Sequence, residues 1–238
     1  RRYGIYLIIH IGASGTMEEI AAAARAVAEA WRGEPMVIGY DLMNEPYVET
    51  IGAITSGGAR RPVVDLQPST RFAGLLDPKW VETCVQHPPS WPPMPPGLPE
   101  DVLRELYVAG ALWGRVTSGL TANGVDYSTL TGAEGAIRPE GDLAELVTAV
   151  DRTFAQWIGV QVDAIRSVDP NHLITVGYNT ALACLPANEA LDFVCHHIYQ
   201  PPTSYDDVVK NATTLDRLAA VWPNQPVMLG EFGYSNGL

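Results

Sequence analysis

The sequence predicts an α/β fold built on parallel strands, and three observations carry that expectation. Short runs that are apolar throughout, rather than alternating, recur along the chain, as strands buried on both faces require. Patterns with apolar residues three and four apart separate most of these runs, as crossover helices between parallel strands do. The chain has 238 residues, 47% hydrophobic and 18% charged, which fits a globular protein with a substantial core.

The elements follow in order. Tyr3–Ile11 reads as the first strand. Thr16 and Glu19 form a Thr-x-x-Glu capping box, which satisfies the free amides of a helix start. The helix behind it carries Met17, Ile20, Ala24, Val27 and Trp31 on one face, and Gly33 ends it. Met36–Met43 is the second strand. A helix from Asp142, with Glu145 three residues on, lines up Leu143, Leu146, Val150, Phe154, Trp157 and Ile165, and Asp169-Pro170 closes it. His172–Tyr178 and Leu191–Ile198 are strands, joined by a connection poor in helix signal. Ser204 caps a third helix with Val208, Ala212, Leu215 and Trp222 on its core face, and Gln225–Leu229 is the last strand. Trp31, Trp113, Trp157 and Trp222 lie on apolar helical faces and are assigned to the core.

The chain reads as one domain over 1–238, interrupted by an insert over 47–141. A segment of that length between a strand and its helix is usually functional or disordered. It contains the proline run from Pro88 to Pro96, which favours an extended backbone. It also carries one credible helix, from Glu100 to about Thr117, with Val102, Leu106, Ala109 and Trp113 on one face.

Charge narrows the partners. The formal net charge is -12, from 27 acidic and 15 basic residues. That disfavours nucleic acid and anionic membrane surfaces, which need basic patches. No apolar run is long enough to span a bilayer. Cys84, Cys184 and Cys195 form no C-x-x-C pair, so a zinc knuckle is not expected. They are read as buried free thiols, with a Cys184–Cys195 bridge the lesser alternative.

The functional signal lies in two strand ends. One strand runs into Asn44-Glu45-Pro46, and another into Gly230-Glu231-Phe232-Gly233. Ligands of parallel α/β sheets and barrels bind at the C-terminal ends of strands. Packing gives no reason for a carboxylate at that point. Two such carboxyls flanking a glycosidic bond are what glycoside hydrolysis uses, with one protonated and the other ionised. A third strand ends in His196-His197-Ile198-Tyr199. There a tyrosine hydroxyl is placed to bond a carboxylate, and a histidine to contact a sugar hydroxyl. His196 points to the other side of the strand from His197 and reads as structural. Trp91, in the proline run, is a candidate sugar platform or a staple for the insert. Asn179 ends a strand and is a candidate to face the cleft. His10 ends the first strand.

Ile38-Gly39-Tyr40-Asp41-Leu42-Met43-Asn44-Glu45-Pro46, His197-Ile198-Tyr199 and Gly230-Glu231-Phe232-Gly233, in that order, resemble glycoside hydrolase family 5, the cellulase-type clan of (β/α)8 TIM barrels. The resemblance implies a partial barrel of about strands 3 to 7, with the long insert after the fourth. It implies Glu45 as acid/base and Glu231 as nucleophile. It gives Asn44 to the substrate 2-hydroxyl, and His197 and Tyr199 to the sixth-strand pair, with the tyrosine orienting the nucleophile. His10 lies near the position of the third-strand histidine, although Ile9-His10-Ile11-Gly12 matches only with a shift. The second-strand arginine and eighth-strand tryptophan of the family have no counterpart. Both ends read as cut from a longer barrel, since the chain enters a strand at once and stops seven residues after Glu231.

The expectation is therefore a retaining β-glycosidase, endo-β-1,4-glucanase-like, acting on a carbohydrate without metal or cofactor. A β-mannanase or another β-glycosidase of the clan is the alternative. From another class, a non-catalytic carbohydrate-binding or inactive barrel fragment competes, because a barrel lacking strands has open edges. A metallohydrolase is a distant third, since no H-E-x-x-H pattern occurs.

Overall fold

A computed structural model describes residues 4–55, 78–88, 97–122, 144–199 and 214–232. Trp91, Asp142, Leu143, Ser204, Val208, Ala212 and Gly233 lie outside the described residues.

Five strands form one parallel sheet: β1 (Leu7–His10), β2 (Val37–Asn44), β3 (Leu173–Tyr178), β4 (Val194–Ile198) and β5 (Val227–Phe232). Each strand pairs with the one before it in sequence, so the spatial order is β1-β2-β3-β4-β5. Helix α1 (Met17–Trp31) crosses from β1 to β2, and α5 (Ala144–Arg166) enters β3. The two helices pack against each other, so both crossovers lie on one face of the sheet. A doubly wound sheet divides its helices between two faces. Sequential order with one-sided helices instead makes a curled half-barrel.

Local sequence accounts for the elements. The capping box at α1 is complete: Glu19 N–H donates to Thr16 Oγ1 at 3.3 Å, and Thr16 N–H donates to Glu19 Oε2 at 2.7 Å. The buried stripe of α1 is Ile20, Ala24 and Ala28, with fully buried alanines that let the helix approach closely. Trp31 corrects the core assignment made above: it is 39% exposed, because it is the last residue of α1 and lies past that stripe. Trp113, Trp157 and Trp222 are buried. Along β2 and β3, Tyr40, Leu42, Ile174, Val176 and Tyr178 are fully buried against the helices. The alternate residues Asp41, Thr175 and Gly177 face the other side, into the half-barrel.

The N-terminal end of the sheet is locked by Asp169, which is fully buried beyond α5. It accepts the Tyr40 hydroxyl at 2.6 Å, the Asn171 and His172 amides at 3.1 and 3.2 Å, and lies 2.5 Å from His172 Nδ1. Burial alone pushes its carboxyl up. The donors from Tyr40 and His172 outweigh that and leave it at about 2. Arg166 ties the end of α5 to Asp192 and to the His172 carbonyl.

One region differs from the sequence expectation. The insert has more helix than the one element anticipated: α2 (Val48–Thr55), α3 (Pro78–Gln86) and α4 (Glu100–Ala122). Helix α2 packs against both α4 and α5, which seats the insert on the barrel helices. Between β3 and β4 the crossover is reduced to two 3-10 turns, Ala181–Cys184 and Pro186–Ala190, as its weak helix signal implied. A further helix over 214–221 precedes β5, and Trp222 beyond it donates to the Ala183 carbonyl at 2.9 Å. All three cysteines are free and buried.

Candidate active site

The two glutamates reach the same cleft because the strands that carry them are irregular. Strict alternation along β5 puts Met228 on the inner face, beside its partner Cys195, and Glu231 three residues later on the outer face. The register shifts here: His196 pairs with Leu229 and His197 pairs with Glu231, leaving Gly230 as an extra residue. This bulge turns Glu231 inward. A second shift on β2 pairs Asp41 with Thr175 but Asn44 with Gly177, which brings Asn44 to the inner face. Bulges are a common means of re-aiming a side chain at a site. Glu45 then takes the left-handed backbone region, with φ of 47°, the one non-glycine at positive φ among the described residues. Strain of that kind is held only where surrounding bonds fix it. Here the Glu45 amide donates to the Gly177 carbonyl at 2.7 Å.

His197 stands between the carboxyls. Its Nδ1 lies 3.1 Å from Glu45 Oε1 and 3.7 Å from Glu231 Oε2. The ring is 95% buried, in a slot walled by Gly177 and Gly230. A Cβ at Gly177 would come within 2.7 Å of the ring. One at Gly230 would come within 3.1 Å of it and 2.2 Å of Cys195 Sγ. The glycines of this site thus make room for the protein's own imidazole and thiol. Cys195 lies 3.9 Å from His197 Nε2, and burial pushes its thiol up to about 12, so it acts as an uncharged wall.

The outer rim supplies further partners. The Tyr199 hydroxyl donates to Glu231 Oε2 at 2.5 Å, and that bond pushes the phenol up from its ordinary value. Asn179 Nδ2 donates to Glu45 Oε2 at 2.8 Å. His10, at the end of β1, lies 3.0 Å from Asp41 Oδ2. The bond to Asp41 raises its imidazole above the usual range against a smaller effect of burial, and the Glu231 charge adds to the rise. The other oxygen of Asp41 accepts the Gly177 amide at 3.0 Å.

The structure thus brings Glu45, Glu231, His197 and Tyr199 together: His197 bonds to Glu45, Tyr199 bonds to Glu231, and His197 lies 3.7 Å from Glu231. Asn44 is exposed beside Gly177 on the same face. His10 bonds to Asp41 and to neither glutamate. His197, expected to contact a sugar hydroxyl, meets both carboxyls here, and its ring is buried. His196 lies on the opposite face with Thr180, Ala183, Cys184 and Leu218. Burial pushes it down to about 4, and its Nδ1 has no partner among the described residues. Asp41 was not singled out from the sequence. Its signal is an acid inside an apolar strand, two residues before Met43, where a buried carboxylate needs a partner.

The cluster offers two neighbouring carboxyl groups with hydrogen-bond partners to each. Among the described residues, Glu45, His197 and Glu231 are also the group able to hold a metal ion, with one ligand atom each and all within 4.8 Å of one another.

No protein-family model matches the sequence, and no curated protein matches it. Solved structures do. An exo-β-agarase matches with a TM-score of 0.41 and 15% identity, over 91% of this chain and 26% of that one. A second agarase gives the same score and identity over 91% and 27%. A β-galactosidase from the psychrophilic Marinomonas ef1 gives 0.35 and 15% over 80% and 26%. These neighbours are glycoside hydrolases. The chain spans about a quarter of the length of each.

Proposed function

We propose that this chain carries the catalytic half of a retaining β-glycosidase of the family 5 type, with Glu45 as acid/base and Glu231 as nucleophile. The observation that carries the reading is the spacing of the pair. Glu45 and Glu231 present oxygens no more than 4.8 Å apart across His197. A retaining mechanism places its carboxyls about 5 Å apart, while an inverting one needs about 6.5 Å or more to admit water between them.

Glu231 attacks the anomeric carbon and forms a glycosyl-enzyme ester. Glu45 gives its proton to the leaving oxygen, then takes one from the water that cleaves the ester. Tyr199, bonded to the nucleophile, fixes which Glu231 oxygen is free to attack. Asn44, exposed on the cleft face, is placed to meet a substrate hydroxyl, the role its motif implies. The substrate is a neutral β-linked glycan, which suits a chain of net charge -12. A β-1,4-glucan is the first choice and a β-mannan the second.

Incubation of the full-length protein with β-glucans, β-mannans and aryl β-glycosides tests the reading. The first-formed product, followed by proton NMR, should be the β-anomer. A 2-fluoro glycoside should leave a covalent adduct on Glu231. Glu45→Gln or Glu231→Gln turning over as fast as wild type would sink the assignment.

One observation favours a second reading, an inactive or purely sugar-binding fragment. Strands β1 and β5 each have a single neighbour among the described residues, and Ile5, Tyr6 and Phe232 are more than half exposed there. Unpaired apolar edges weaken a sheet. Glycan binding by residues 1–238 with no turnover, and no cooperative melt, would favour this reading.

A further inference from the structure

We propose that Asn179 is a positioning residue for the acid/base carboxyl: it holds Glu45 Oε2 from the end of β3, and among the described residues its side chain is bonded to Glu45 alone. The inference rests on the glycosidase reading above.

Glu45 is held in three ways. Its backbone amide is bound to Gly177, its Oε1 faces His197 Nδ1 at 3.1 Å, and its Oε2 accepts the Asn179 amide at 2.8 Å. His197 is shared. The same Nδ1 lies 3.7 Å from Glu231, and one ring nitrogen carries at most one proton, so its hold on Glu45 weakens whenever it turns to the nucleophile. Among the described residues Asn179 has no such second claim: Glu45 is the carboxylate it meets. Its own place is fixed on both sides. Tyr178 before it is fully buried, with its hydroxyl on Asn188 Oδ1 at 2.6 Å. Thr180 after it caps the following 3-10 turn by accepting the Leu182 amide at 3.3 Å. The amide therefore projects from a rigid base.

Asparagine also suits a residue that changes protonation state twice per turnover. A carboxylate only accepts hydrogen bonds, whereas a carboxylic acid also donates one. An amide meets both needs: N–H₂ towards ionised Glu45 and, after a half rotation, C=O towards its O–H. A lysine would serve only the ionised form, and an aspartate would repel it.

The test is a leaving-group comparison. Full-length wild type, Asn179→Ala and Asn179→Asp are assayed on a 2,4-dinitrophenyl β-glycoside, which departs without protonation, and on the unsubstituted phenyl β-glycoside, which needs the acid. A positioned general acid contributes at least about 100-fold. In kcat/KM, which reports glycosylation and not the later base-assisted step, Asn179→Ala should lose about 10- to 100-fold on the phenyl substrate and about threefold or less on the dinitrophenyl one, and Asn179→Asp, close to asparagine in size and so able to fold, should lose at least as much. Equal losses on both substrates, or none on either, would overturn the proposal. A second measurement does not depend on turnover. The Asn179 side-chain amide protons are followed by 15N–1H NMR in wild type and in Glu45→Ala. Loss of the bond should shift one resonance upfield and speed its exchange; an unchanged signal overturns the proposal. If wild type hydrolyses nothing, the glycosidase reading fails, and the NMR result separately decides whether Asn179 holds Glu45.

Discussion

Replacing Gly230 with alanine drives a methyl group into the narrowest part of the site. The new Cβ would lie 2.2 Å from Cys195 Sγ and 3.1 Å from the His197 ring. Ordinary heavy-atom contacts sit near 3.5 Å, so more than about 1 Å must be found. Cys195 and His197 are each 5% exposed and cannot swing into solvent. Overpacking of this kind costs about 1–3 kcal/mol. At roughly 2–4 °C per kcal/mol for a chain of this size, the melting temperature should fall by about 2–12 °C. Activity should fall further than stability. Moving His197 loosens both carboxyls at once, and a misplacement of about 1 Å costs on the order of 100-fold in turnover. The control is Cys195→Ala, which removes the sulfur that the methyl group meets first. In the double variant much of the loss should return, giving a coupling energy of about 1 kcal/mol or more in a double-mutant cycle. The readouts are thermal melting by circular dichroism and initial rates on an aryl β-glycoside. A Gly230→Ala protein as stable and active as wild type, or a cycle with no coupling, would refute the claim that Gly230 exists to admit Cys195 and His197.

Tyr199→Phe should lower kcat by about 10- to 100-fold with little change in melting temperature, because Tyr199 is 53% exposed and among the described residues its hydroxyl bonds to Glu231; an unchanged kcat would remove it from the mechanism. Asp169→Asn should destabilise the protein at neutral pH. With a folded value of about 2 against an ordinary 3.8, the ionised carboxyl contributes about 2 kcal/mol above pH 4, lost as pH falls through 2, so the gap between wild type and variant in urea melts should narrow in acid. Glu49, on α2, behaves oppositely: burial pushes it up to about 7, so wild type loses stability as pH rises from about 4.5 to 7. Glu49→Gln should match wild type at pH 4 and exceed it at pH 8 by up to about 3 kcal/mol, and equal melts at both pH values would contradict that burial.

Much of this was readable from the residues. The five strands fall where apolar runs end in polar residues, and Thr16 and Glu19 mark the start of α1 because a capping box is a purely local device. Helix α2 was not readable, because Val48–Thr55 is buried on nearly every side and shows no amphipathic period. The bulges escaped for a related reason. Alternation assigns faces by counting residues, and an extra residue in one strand is visible only once its partner strand is known. The roles of His197 and Gly230 depend on that partner too: a histidine beside a tyrosine motif suggests a ligand contact, but only packing from β3 and β5 reveals that the ring is enclosed. Asp41 was legible in principle, as an acid inside an apolar strand, while its bond to His10 required the pairing of β1 with β2.

The sequential strand order has a consequence for synthesis. Of these five strands β1 leaves the ribosome before the others, and each later one finds its neighbour in the sheet already made, so their pairing can follow translation without waiting for a distant partner. Glu45 emerges early, on β2, and its companions Asn179 and His197 follow on β3 and β4. Glu231 arrives last, on β5. A nascent chain short of that strand carries Glu45 without Glu231, so the two carboxyls come together only when β5 docks.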